Sequence, residues 1–75
     1  MARTRSGKAK RIWRGPDGAP VSCVEKLKML DENIEEIRGM CQDALEDAVL
    51  MGCDEAQVRQ VLRELADTLD EPFAE

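Results

Sequence analysis

From residue 23 the apolar positions fall into a regular rhythm. Cys23, Leu27, Leu30, Ile34, Ile37, Cys41, Ala44, Ala48 and Met51 follow one another at alternating steps of four and three. This is an a/d heptad seam, the pattern of a helix that lies along another helix. Val24, Met40, Leu45 and Val49 widen the stripe on its flanks. Ser22 with Glu25 three residues on makes a capping box at the start, each side chain serving the other's free backbone donor. Gly52 stands where the helix needs a left-handed residue to stop. The spacing predicts a helix over 22–51. Gly39 inside it costs about 1 kcal/mol relative to Ala. It reads either as a tolerated surface glycine or as a point of close helix approach.

After a turn at 52–54, Asp54 and Gln57 form a second capping box. Val58, Val61, Leu62, Leu65, Ala66 and Leu69 then mark the apolar side of a helix over 55–70, which Pro72 ends. Residues 72–75 form a tail holding Phe73, the chain's one phenylalanine. So short a connection sends the second helix back along the first. The expected fold is all-α: an antiparallel two-helix hairpin over 22–71, long helix first. At 1.5 Å per residue the helices measure about 43 Å and about 24 Å. The shorter covers the longer only as far as Ile34–Ile37, and Leu27, Leu30 and Ile34 lack a partner from it. Leaving such side chains in water forgoes roughly 1.5–3 kcal/mol each. Three covers are available: Trp13 with Val21 folding back, a second copy of the chain, or a different protein.

Residues 1–21 have no such rhythm and read as a basic, mostly extended N-terminal arm, with residues 1–11 unstructured in isolation. Gly15-Pro16-Asp17-Gly18 is a turn signal at 15–18, since Pro suits position i+1 and Gly accepts positive φ. Pro20 stops any helix from running in from upstream. Charge sharpens the division. Residues 1–14 hold six basic side chains and no acid; the other 61 residues carry a net −11, and the chain −5. Arg3, Arg5, Lys8, Lys10 and Arg11 are candidate contacts for phosphates or for an acidic partner. Ile12, Trp13 and Arg14 would anchor the arm on a protein, Trp and Arg being enriched at binding hot spots. With Leu27, Leu30 and Ile34 they make the candidate protein-binding set. The competing reading of the arm is a solubilising tail, or one that lies on an acidic surface such as the helices of this same chain. Nucleic acid is the less favoured partner, because Asp31, Glu32, Glu35, Glu36, Asp43, Glu46 and Asp47 would repel it and the helices offer no basic face.

Size and composition narrow the function further. A chain of 75 residues with one Trp, one Phe and no Tyr has an aliphatic core at best. Below roughly 70–80 residues a lone core seldom supplies more than about 3–5 kcal/mol, so a partner chain is the expected supplement. There is no histidine, which removes the commonest general base and transition-metal ligand. Asp43, Glu46 and Asp47 share a helix face but have no loop oxygens beside them, and read as a solvated surface rather than a metal site. Cys23 and Cys41 fall on the seam and read as small buried hydrophobes. Cys53, in the turn, is the candidate reactive thiol. The three cysteines show neither C-x-x-C nor zinc spacing, and no apolar signal-peptide core precedes them, which suits free thiols in a cytoplasmic protein. No apolar run approaches the roughly 20 residues of a membrane span. No phosphate loop, nucleophile elbow or cavity for a small-molecule substrate is visible. We therefore expect no enzyme and no cofactor. The expectation is a small protein-interaction module, an accessory or regulatory subunit acting as a homodimer or within a larger enzyme complex. The alternatives are a nucleic-acid-associated protein held by its basic arm, and a thiol-based redox or metal carrier.

Overall fold

The computed structural model describes residues 11–73, which hold two helices, α1 (Val24–Leu50) and α2 (Glu55–Asp67), and no strand. The chain divides into two units between Gly39 and Met40, inside α1.

In the first unit, residues 13–21 close a tight loop ahead of α1. Gly18 N–H donates to Gly15 C=O at 2.9 Å, and Gly15 N–H donates to Ala19 C=O at 2.9 Å. Pro16 supplies the fixed φ after Gly15, and Gly18 takes φ +87°. These are the marks of a three-residue turn closed by a glycine bulge. Asp17 Oδ1 accepts from Ala19 N–H at 3.0 Å, and Arg14 Nη1 donates to Gly18 C=O at 2.9 Å. Val21 N–H reaches Trp13 C=O at 2.9 Å, leaving Arg14 opposite Pro20 in an isolated antiparallel bridge. Pro20 has no N–H to give, and it stands between the bonded pairs, where none is needed.

α1 then starts at Val24. Cys23 C=O accepts from Leu27 N–H at 2.9 Å, so Cys23 rather than Ser22 occupies the capping position.

In the second unit the turn between helices is spelled out by local chemistry. Cys53 N–H donates to Ala48 C=O at 2.9 Å and Gly52 N–H to Val49 C=O at 3.0 Å, with Gly52 at φ +99°. This pair of bonds is the Schellman motif, and it uses two of the carbonyls that a helix end leaves without partners. Asp54 caps α2: its Oδ2 accepts from Gln57 N–H at 3.1 Å and its C=O from Val58 N–H at 3.1 Å. α2 ends earlier than Pro72 would require. Thr68 is its C-cap, with N–H and Oγ1 both turned back onto Glu64 C=O, so Leu69 falls beyond the helix.

Among the described residues none is buried. The half-buried positions of α1 are Leu27, Asp31, Ile34, Glu35, Cys41, Leu45 and Ala48; on α2 they are Val58 and Leu62. Apart from Glu35, the α1 set advances by four, three, seven, four and three, which is a helical stripe but not the a/d seam. Leu27, Ile34, Cys41 and Ala48 belong to both. The alternate seam positions Leu30, Ile37, Ala44 and Met51 are exposed. One residue further on, Leu45 is half-buried where Ala44 is exposed, whereas Leu30, at 36%, and Asp31, whose side chain is 45% exposed, are shielded to a like extent.

Candidate interaction surfaces

Two features of the first unit meet at one carboxylate. Asp31 Oδ1 accepts from Trp13 Nε1 at 2.8 Å and from Arg11 Nη1 at 3.2 Å. The Arg11 guanidinium carbon also lies 5.3 Å from the centre of the Trp13 ring, within cation–π range. The tight loop at 15–18 directs residues 11–13 back toward α1, and Asp31 stands one turn past Leu27 to meet them. Trp13 is half-buried there. An indole N–H withdrawn from water needs an acceptor, and a carboxylate is a strong one. The loop is thus seated on α1 by a charge-assisted bond and a surface ion pair, with the Arg11 cation over the Trp13 ring.

The sequence-derived candidates separate on this arrangement. Trp13 and Arg11 converge on Asp31, while Arg14 turns to its own loop at Gly18. Ile12 is left 65% exposed. Leu27 and Ile34 are half-buried and Leu30 is exposed. Arg3, Arg5, Lys8 and Lys10 lie outside the described residues. Asp31 is the member of the site that sequence reasoning misses, since it stands there only among the seven acids that would repel nucleic acid. Its place one turn past Leu27 is the available signal.

Cys53 is exposed, as is Cys23, and Cys41 is half-buried; all three are free thiols. The exposure of Cys23 differs from the expected burial because the loop seats on Asp31, two turns further along α1, and not over the first turn. Phe73 does not pack back on the helices: it is 99% exposed, at φ +57°. Among the described residues no three His, Cys, Asp or Glu side chains gather to hold a metal ion. No helix among them is long and apolar enough to cross a membrane.

Large apolar side chains are exposed in each unit: Leu30 and Ile37 in the first, Met40, Leu50 and Met51 in the second. On the second unit, Leu45, Val49 and Leu50 line an open groove of about 450 Å³ together with Gln42, Glu46, Glu55 and Arg59. Arg59 Nε is held by Glu55 Oε2 at 2.9 Å, and Glu46 Oε2 accepts from Gln42 Nε2 at 2.8 Å. The groove is thus an apolar floor with a hydrogen-bonded polar rim. No protein-family model, no curated protein and no solved structure matches this chain.

Proposed function

We propose that the chain is a small non-catalytic interaction protein, an accessory or regulatory subunit. Its helices form an antiparallel hairpin that is completed by association, with a second copy or with a larger protein. The observation that carries this reading is the exposure of Leu30 and Ile37 in the first unit and of Ala44 and Met51 in the second, on a chain with no buried residue among those described. Ile37 and Met51, 53% and 78% exposed, forgo much of the roughly 1.5–3 kcal/mol that full burial of such a side chain brings, a large share of the stability of any small domain. The seat of Trp13 on Asp31 covers part of α1 and leaves Ile37, in the same unit, 53% exposed.

The test is the solution mass of the intact chain by light scattering, at low and moderate salt, beside the Ile37→Glu variant. A mass above 8.4 kDa that falls on Ile37→Glu supports self-association. A monomer with shallow thermal unfolding that sharpens on adding a partner supports docking on another protein. A monodisperse monomer that unfolds cooperatively, unaffected by Ile37→Glu, overturns the reading.

A further inference from the structure

We propose that the groove of the second unit receives a cationic amphipathic helix of another protein; this rests on the interaction reading above and narrows it. The floor is Leu45, Val49 and Leu50, of which Leu50 is 84% and Val49 45% exposed. Leu45 with Val49 and Leu50, one turn further along the helix, forms a short stripe that accepts the stripe of another helix. What selects the occupant is charge. Residues 40–73 hold nine acidic side chains and two basic ones, a net −7. Both bases are engaged: Arg59 with Glu55, and Arg63 with Gln60 at 3.0 Å. A second copy laid groove to groove brings −7 against −7, and like charges facing each other oppose docking. A helix with Leu or Ile on one side and Lys or Arg around it meets an apolar floor whose rim carries Glu46 and Glu55 against one base, Arg59, in a unit whose residues 40–73 carry a net −7.

The probe is a synthetic helix of leucine and lysine, about 18 residues and so about 27 Å long. Its leucines stand at i, i+3, i+4 and i+7, and it is titrated onto the full chain by calorimetry. One control is the same composition scrambled so that no leucine stripe remains. Another replaces every lysine by glutamate. We expect one probe per chain and weak or no binding of either control. Affinity should fall about tenfold or more between low and moderate salt as the acidic surround is screened. Leu50→Glu is the decisive variant. It makes the surface more acidic, so charge attraction alone would strengthen binding, whereas loss of the apolar floor weakens it by about tenfold. Leu50 is exposed enough for this change to leave the helix content intact, which circular dichroism checks.

Equal binding of the scrambled probe, or unchanged or stronger binding to Leu50→Glu, overturns the proposal, as does equal binding of the glutamate probe. A dimer that ignores the probe and dissociates on Leu50→Glu also overturns it, assigning the groove to a second copy while leaving the interaction reading intact. A cooperative monomer that binds no probe removes both.

Discussion

Asp31 Oδ1 serves two donors, the Trp13 indole at 2.8 Å and the Arg11 guanidinium at 3.2 Å. Their worth differs. The ion pair is partly solvated, with the two side chains 32% and 45% exposed, and solvated pairs contribute about 0–1 kcal/mol. The indole bond to a charged acceptor belongs to the stronger class, about 1.5–3 kcal/mol where water is excluded and less here. Asp31→Ala should therefore loosen the loop by about 1–2 kcal/mol. Asp31→Asn keeps a carbonyl for the indole and should cost less. Proton exchange of the Trp13 indole N–H, followed by NMR, ranks the three proteins; equal rates in all of them would remove Asp31 from the seat. Gly52 allows a cleaner residue-scale prediction. A Cβ there would meet nothing within 4 Å, yet φ is +99°, so Gly52→Ala costs about 1–2 kcal/mol through the backbone alone. Chemical denaturation measures it.

At the level of elements, helix ends are more legible in the sequence than helix faces. Gly52 and Asp54 can be read directly, because a Schellman stop and an N-cap are set by residues close together in the chain. Asp54→Ala should lower stability by about 1 kcal/mol, read as a loss of helical signal. The other two ends shift for equally local reasons. Ser22 yields its capping position to Cys23, and the hydroxyl of Thr68 closes α2 before Leu69. The shielded face of α1 is harder to read, since periodicity counts only apolar residues. It has no means of knowing that a tryptophan 18 positions upstream chooses a carboxylate, and so it passes over Asp31. Gly39 tests the same helix. A Cβ there meets nothing within 4 Å, so Gly39→Ala should stabilise the chain by about 1 kcal/mol. A fall in stability or in mass would instead place a partner against that stretch.

For the whole molecule, the absence of a buried residue among those described has a thermodynamic reading. The heat-capacity change on unfolding scales with the apolar surface newly exposed, and here much of that surface is already in water. Dilute chain should unfold over a broad range, with a heat-capacity change below the roughly 12–15 cal/mol/K per residue of ordinary domains. A partner that binds only the folded form should raise and sharpen the transition. Scanning calorimetry at two concentrations decides this, and a sharp transition at both with a full-sized heat-capacity change would contradict it. The helices are unequal, at 27 and 13 residues, but of Leu27, Leu30 and Ile34, expected from that inequality to lack cover, Leu27 and Ile34 are half-buried. Function is still less readable in the sequence, because no residue pattern in the chain is tied to a particular chemistry.

Trp13 is the sole tryptophan of a chain that has no tyrosine, and it sits in the first unit on the acid that seats the loop. The protein therefore carries a built-in optical probe of one joint, while its second unit contributes almost nothing to near-ultraviolet emission. Indole fluorescence follows release of the loop, and far-ultraviolet ellipticity follows both helices. Recorded on one sample, the two signals tell a loop that lifts from an intact α1 from a helix that melts beneath it, with no label attached.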